Sequence, residues 1–426
     1  MLLLIVALIS ASPDTLELTL GQALDQALRA SPAASQASAS RLSSGIAVGQ
    51  GVNALLPAAS GSLAWGRTET QVLPGSDSTY TTEGWDGDLT LSQVVFDPRV
   101  FASAASSFIQ AGYYSVDAQD KQAKLIYDVT AGYLGLLGAR LLRDAAASAV
   151  DRAADNVKLN QEKLRLGAAS RIDVMRSEVY KSQADIGLLT ADKTLAAANA
   201  GFLAAAGISR DVVVKPTEQL TEPAGFAVSN GDSLIAEIER LNPTARLAAK
   251  SGTVATVNTV AAVGQVLPSV SAFWSSNYSD SAMPKSIKQW SDKDYVTTGI
   301  KLSLPLLDLK AFVLDIGDAV AGSRRAKAAA QAARYQVRAA ATTAVIGDEE
   351  ARQRYDYAKK NLELNQELFR LAKEQQRLGA ISLIDFFSVE TALEQANASY
   401  ITALTDTYIQ AAQLNYLLGR TRPETR

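Results

Sequence analysis

The chain has 426 residues and a net charge of −3, and it contains neither cysteine nor histidine. This charge provides no cationic field for a nucleic acid, and the missing residue types exclude disulfides, thiolate or imidazole metal ligands, and Cys–His or Ser–His nucleophiles. The sequence also contains no P-loop, paired-carboxylate site or metal cluster. We therefore expect no nucleic-acid partner, no metal, no cofactor and no enzyme activity.

The first 12 residues resemble a secretory signal peptide. An apolar run from Leu2 to Ile9 is followed by small residues and Pro13, although no lysine or arginine precedes the run. No other stretch is expected to provide the ~20 apolar residues of a helical membrane span. If the protein enters a membrane, we expect it to do so as a β-barrel.

The chain contains the same motif twice. RLGAASRIDV begins at Arg165 and RLGAISLIDF at Arg377, with seven identical positions out of ten at an offset of 212 residues. Other pairs keep this offset, or one of 211, along the chain, and Glu178 with Glu390 is one of them. The pattern indicates a tandem duplication of one long unit. We divide the chain into a first repeat at 13–212, a linker at 213–230, a second repeat at 231–419 and a tail at 420–426.

Two long stretches without proline, 99–215 and 306–422, are predicted to be helical because proline breaks helix interiors. Both are rich in residues that favour helices. Apolar side chains recur every seven residues in them, which is typical of coiled coils. These positions are Val150, Val157 and Leu164 in the first stretch and Tyr355, Leu362 and Phe369 in the second.

The repeated motif is predicted to be the turn of a helical hairpin. In each copy a glycine can end one helix in a left-handed cap, and a serine can begin the next helix with an aspartate three residues later as its partner. These residues are Gly167, Ser170 and Asp173 in the first copy and Gly379, Ser382 and Asp385 in the second. The first hairpin is unequal, since its second helix is about half as long as its first. Segment 19–55 has the length to continue the shorter one.

Four segments are predicted to be strands because apolar side chains alternate with small or polar ones. They are 61–72, 84–96, 269–279 and 295–306. Each is long enough for a tilted membrane crossing. The intervening segments, 73–83 and 280–294, are expected to be exposed hairpin ends. Four strands alone would leave open sheet edges, which oligomerisation would cover; ordinary hairpins of a soluble α+β protein are the alternative.

The segments LTLGQALDQALRASPAASQASASRL, LLPAASGSLAWG and LTLSQVVFDP, together with the two RLGA turns, resemble the TolC-type outer-membrane efflux family over residues 18–419. The resemblance implies a mainly α fold with a β-barrel part. Long coiled-coil hairpins would form a periplasmic α-barrel, and four strands per subunit would contribute to a trimeric, twelve-stranded barrel in the bacterial outer membrane.

The resemblance also implies a function and partners. The homotrimer would be the passive exit duct of a tripartite efflux or type I secretion system, working with a periplasmic adaptor (membrane fusion) protein and an inner-membrane pump of the resistance-nodulation-division or ABC type. Outer-membrane lipid would surround the barrel. A trimeric coiled-coil scaffold or surface fibre without a pore is the alternative, but it leaves the equivalent placement of the strand pairs unexplained.

The resemblance places both RLGA turns at the periplasmic mouth of the duct. Adaptor docking is expected at the tips, which are Arg165, Leu166, Gly167, Arg377, Leu378 and Gly379. The aspartate ring that narrows the closed mouth in this family corresponds to Asp385, and Asp173 matches the acid of the first repeat. A second acidic position is Ser388 here, and the residues that hold the mouth shut correspond to Gln376 and Ile381. We therefore expect one acidic ring with fewer polar locks. Helix capping explains both aspartates without any gate, and a gate role of Asp385 is compatible with it.

Overall fold

The computed structural model describes residues 15–71, 79–210, 212–218, 220, 231–292, 294–306 and 310–421. The predicted signal peptide at 1–12 lies outside the described residues. So do most of the expected loop at 73–83, most of the linker and the end of the tail.

The elements follow the same order in both halves of the chain. The first half contains β1 (Thr15–Leu18), α1 (Leu20–Ala30), α2 (Pro32–Asn53), β2 (Ala58–Gln71), β3 (Thr79–Phe96), α3 (Pro98–Arg165), α4 (Arg171–Ala206) and β4 (Val213–Pro216). The second half contains α5 (Gly231–Leu241), α6 (Pro243–Gly264), β5 (Ser269–Asp280), α7 (Ile287–Ser291), β6 (Asp294–Ser303), a π-helical segment (Lys310–Asp315), α8 (Ile316–Leu378) and α9 (Leu383–Leu417). The matching sequence of two helices, two strands, one long helix and one shorter helix confirms the predicted duplication.

Proline and glycine set the ends of these helices. Pro32, Pro98 and Pro243 each occupy the first position of a helix, where proline loses no intrahelical hydrogen bond. The predicted turn glycines, Gly167 and Gly379, adopt φ angles of 75° and 69°, as left-handed helix caps require. The four predicted strands are present with shifted ends. Residues 213–216, placed in the linker, instead form β4, which pairs in parallel with β1.

The chain divides into two compact units, and each contains parts of both repeats. The helical unit comprises Met1–Ala39, Val116–Arg246 and Arg334–Arg426, and the sheet unit comprises Ser40–Ser115 and Leu247–Ala333. Both turns lie in the helical unit, and all four long strands lie in the sheet unit.

The core of the helical unit explains how the shorter helix of the first hairpin is continued. Side chains from α1, α3 and α4 form one buried cluster, in which Tyr133 and Phe202 are completely buried. Burial of each such ring stabilises the fold by roughly 1.5–3 kcal/mol. The end of α4 meets the α1–α2 junction so closely that a Cβ atom on Gly207 would lie 2.7 Å from the Cα atom of Ser31. Helix α2 therefore begins where α4 ends, and segment 19–55 continues the shorter helix as predicted.

The four strands of the sheet unit form an antiparallel sheet in the order β2-β3-β5-β6. In one row across the sheet, Leu63, Gly87, Tyr278 and Asp294 stand opposite one another and share a face. The same face also carries Trp65, Leu89, Leu91, Trp274, Ile300 and Leu302, and we call it the apolar face. The polar face carries Asp86, Asp88, Thr90, Ser275, Asn277 and Lys301. This division confirms the predicted alternation.

Two sequence-based expectations differ from the structure. Segment 280–294 was expected to be an exposed loop; most of its described residues are exposed, but it also contains α7 and packs Trp290 against the sheet. In addition, α3 contains an 18-residue stretch that is apolar enough, by length and composition, to cross a membrane, whereas no such stretch was expected beyond the N-terminus. Half of that stretch is buried, and core helices of soluble proteins pass the same test.

Candidate functional site at the hairpin turns

The two turns have the same backbone geometry because both are closed by a left-handed glycine. In the first, the amide of Ala168 donates to the carbonyl of Lys163 at 2.7 Å. In the second, the amide of Ala380 donates to the carbonyl of Gln375 at 2.8 Å. These bonds satisfy carbonyl groups at the ends of α3 and α8. The repeated motif therefore forms two equivalent hairpin turns, as predicted.

The aspartates of both motif copies cap helices. The Asp173 carboxylate accepts hydrogen bonds from the Ser170 amide at 2.9 Å and the Ser170 hydroxyl at 2.6 Å, and the pKa of Asp173 is lowered mainly by the bond from that hydroxyl. The Asp385 carboxylate accepts from the Ser382 hydroxyl at 2.7 Å. Asp385 remains exposed, so its charge is available at the turn. Capping is thus confirmed, and the gate role of Asp385 stays a prediction.

Each turn presents one exposed leucine between charged neighbours. Leu166 and Leu378 are both 70% exposed. The preceding arginines are held by glutamates three residues earlier, with Arg165 bonding Glu162 at 2.9 Å and Arg377 bonding Glu374 at 3.2 Å. Exposed pairs of this kind contribute at most about 1 kcal/mol. Each of the two tips therefore presents one exposed leucine side chain next to a guanidinium group.

The remaining predicted gate residues lie in different environments. Gln376 is buried, and its Nε2 atom has no hydrogen-bond partner among the described residues. Ile381 is half-buried, whereas Ser388 is exposed and donates its hydroxyl to the carbonyl of Ile384 at 3.0 Å. Of the five predicted gate positions, Asp385 and Ser388 are thus exposed on the same helix, α9.

A buried polar cluster joins the two hairpins of the helical unit, and the sequence reasoning missed it. Glu390 on α9 is completely buried and accepts hydrogen bonds from Arg152 at 3.2 Å and from Asn156 at 3.0 Å, both on α3. Arg152 also lies 3.4 Å from Glu394, which accepts a bond from the Tyr180 hydroxyl on α4 at 3.1 Å. We call these five residues the Glu390 cluster.

Burial dominates the electrostatics of this cluster. It raises the pKa of Glu390 above the ordinary range of a carboxyl group, while the Arg152 guanidinium opposes that rise. The ring of Tyr180 stacks on Phe387 with a centroid distance of 4.4 Å. A cavity of about 450 Å³ borders Arg152, Tyr180 and Glu394. The cluster therefore connects α3 and α4 to α9 through charge, hydrogen bonds and ring stacking together.

The internal repeat does not reproduce this cluster. Glu178, which the duplication pairs with Glu390, is exposed. The positions that correspond to Arg152 and Asn156 at the offset of 212 are Leu364 and Leu368, and both are more than half exposed. The signal that could have revealed the cluster is the placement of Arg152 and Asn156 four residues apart on α3, because residues at that spacing share one helix face.

Comparison with known proteins agrees with these features. Residues 234–420 match the model of the outer membrane efflux protein family. The chain also resembles the crystal structure of the Campylobacter jejuni CmeC outer membrane channel, with a TM-score of 0.79 over 96% of this chain and 87% of that one at 15% identity. The second half of the chain therefore matches this family, and the whole chain has the fold of an outer membrane channel.

Other known proteins are also similar to this chain. Nodulation protein T of Rhizobium leguminosarum bv. trifolii is 25% identical over 359 residues, which cover 80% of this chain and 73% of that protein. A membrane protein from Pseudomonas aeruginosa has the same fold, with a TM-score of 0.81 over 94% of this chain and 93% of that one at 15% identity. The match over residues 234–420 and these structures thus agree on the fold of outer membrane channels.

Proposed function

We propose that three copies of this chain form the exit duct of a tripartite efflux or type I secretion system, which conducts substrates passively from an inner-membrane pump and its adaptor across the periplasm and the outer membrane. The observation that carries the proposal is the two-faced sheet. Its apolar face exposes large side chains such as Trp65 and Ile300, which are 55% and 77% exposed. Such a face suits lipid, and the polar face suits an aqueous lumen.

Exposed features of both units support assembly from several copies. In the described part of the chain, β2 and β6 are edge strands, and an edge is a template for pairing with another chain. Helices α4 and α8 each carry a row of exposed apolar side chains at coiled-coil spacing. On α4 these are Ile172, Met175, Val179, Ile186 and Leu189; on α8 they are Tyr357, Leu364, Leu368, Leu371 and Leu378. Neighbouring copies would cover these rows and join the edges into a barrel.

The gate and the docking tips complete the proposal. Three copies of the exposed Asp385 near a symmetry axis would repel one another and favour cations at the mouth. Asp173, Ser388, Gln376 and Ile381 would shape the same constriction. The six tip residues, Arg165 to Gly167 and Arg377 to Gly379, would receive an adaptor hairpin around the exposed leucines. Energy would come from the pump, through proton-motive force or ATP.

Single-channel conductance in planar bilayers tests the duct and its gate. Asp385→Ala is expected to raise the conductance or abolish the cation selectivity, because it removes one acidic ring. Ser382→Ala is the matched control, since it removes the N-cap of the same helix, worth about 1 kcal/mol, and keeps the Asp385 carboxylate. Equal effects of the two variants would reduce Asp385 to a cap. If the folded wild-type protein formed no pore, the duct would be refuted and the scaffold favoured. Gel migration is a second test, because a barrel trimer is expected to change its migration on heating and a scaffold is not.

A further inference from the structure

The segment between β5 and β6 folds back onto the apolar face of the sheet. We call residues 281–292 the flap. Its Trp290 stacks on the ring of Tyr278 with a centroid distance of 5.3 Å and an interplanar angle of 24°. Gly87 on β3 leaves the space for the indole, because a Cβ atom there would lie 2.3 Å from it. Trp290 therefore docks at a position built to receive it.

The docked indole also covers polar groups on this face. The Trp290 Nε1–H donates to the Ser276 hydroxyl at 2.9 Å, and that hydroxyl donates in turn to the Asp294 carboxylate. Ser276 is 3% exposed. A hydroxyl and a carboxylate on an apolar surface would be costly without hydrogen-bond partners. Trp290 thus closes a short hydrogen-bonded chain and shields it with its ring.

The position of the flap identifies what lies against its outer side. Trp290 covers β3 and β5, the two middle strands, rather than the edges where a neighbouring copy would pair. The flap follows the end of β5 that is remote from α6, so it lies at the end of the sheet opposite α6. At this end of a barrel strand the apolar face meets the headgroup layer of the bilayer.

The outward side chains of the flap have the chemistry of an interfacial segment. Ile287 is 90% exposed and Met283 is 50% exposed. Lys285 and Lys288 are exposed beside them. Apolar side chains next to lysines, with a tryptophan at the boundary, are typical of segments that lie in the membrane interface. The flap carries both the apolar side chains and the lysines within a few residues.

We propose that the flap is a membrane-interface anchor, in which Ile287 and Met283 enter the acyl boundary, Lys285 and Lys288 pair with anionic lipid headgroups, and Trp290 fixes the segment to the sheet. The proposal rests on the proposed function, which directs the apolar face toward lipid. It assigns the flap to the lipid-facing outside of the barrel rather than to its lumen or to a loop in solvent.

Single-cysteine variants test the proposal directly because the chain has no cysteine. Ile287→Cys reports on the flap, Leu91→Cys on the apolar face and Asn277→Cys on the polar face. Each full-length variant is labelled with an environment-sensitive fluorophore and reconstituted into phosphatidylcholine vesicles with a phosphatidylglycerol fraction. Lipids spin-labelled near the headgroup or deep in the acyl chain then act as quenchers.

We expect the label at 287 to be quenched several-fold more by the shallow spin label than the label at 277, and the label at 91 to be quenched by the deeper one. Quenching at 91 but not at 287 would overturn the anchor alone. Absence of quenching at 91 would contradict the proposed function itself. Quenching at 277 as strong as at 91 would contradict the assignment of the two faces.

Two further variants separate the parts of the anchor. Trp290→Ala should abolish the shallow quenching at 287 and leave the deep quenching at 91 unchanged, which also shows that the sheet has folded. Lys285→Gln with Lys288→Gln should reduce the quenching at 287 in vesicles with phosphatidylglycerol and not in pure phosphatidylcholine. Unchanged quenching at 287 in the Trp290→Ala variant would refute the fixing role of Trp290. An equal loss of quenching in both kinds of vesicle would refute the pairing of the two lysines with anionic headgroups.

Discussion

Replacing Arg152 by methionine tests whether the Glu390 cluster holds the two hairpins together. The substitution keeps an unbranched apolar side chain but removes the guanidinium, so Glu390 stays completely buried with Asn156 as its remaining partner. Loss of one partner of a buried ion pair costs about 3–5 kcal/mol. We expect a loss near the lower limit, about 3 kcal/mol, because the Arg152 side chain is 33% exposed and the Asn156 bond remains.

The matched control lies on the same helix. Arg143 bonds Asp192 at 3.0 Å, but both side chains are more than a third exposed. Arg143→Met should therefore cost at most about 1 kcal/mol. The assay is denaturant unfolding of the detergent-solubilised protein, followed by far-UV circular dichroism and, in parallel, by trimer migration on gels.

A double variant sharpens the comparison. Arg152→Met combined with Glu390→Gln removes both charges and should recover most of the loss, because a neutral amide is cheaper to bury than an unpaired carboxylate. Equal losses for Arg152→Met and Arg143→Met, or no recovery in the double variant, would refute the reasoning. The contacts of the Glu390 cluster would then contribute little to the free energy of unfolding.

Further predictions concern the same unit. Because burial raises the pKa of Glu390, the folded state binds more protons than the unfolded one, and the free energy of unfolding should fall as the pH rises from the ordinary carboxyl pKa through the raised one. Glu390→Gln should flatten the dependence of the unfolding free energy on pH, measured by denaturant titrations at a series of pH values. An unchanged slope would mean that other groups cause the dependence. Gly207→Ala should destabilise the fold by more than the ~1 kcal/mol typical of a left-handed glycine, because its Cβ atom would also strike Ser31. Gly167→Ala, with the same backbone but open space around it, is the control, and equal melting temperatures would contradict the clash.

Local chemistry accounts for what the sequence predicted well. The turns follow from glycine and from serine–aspartate capping, which act over four residues, and the strands follow from alternation with period two. The duplication needs only a comparison of the chain with itself. These features depend on neighbours along the chain, so one sequence is enough to identify them, and the resemblance to the efflux family rests on the same motifs.

The features that were missed depend on neighbours in space. Glu178 and Glu390 occupy equivalent positions of the two repeats, yet only Glu390 is buried, because it faces Arg152 and Asn156 from the other hairpin. Trp290 lies in a segment with the composition of a loop, and its docking depends on Gly87, more than 200 residues earlier.

The sequence by itself determined the order of elements, the two hairpin turns, the faces of the strands and the resemblance to the efflux family. The tertiary structure decided which acidic residue became buried and where the loop between β5 and β6 came to rest. Burial changes the free energy of a charge or an indole far more than any local propensity does. It is a property of the packed helices and strands around the side chain, and those contacts form only when distant segments meet.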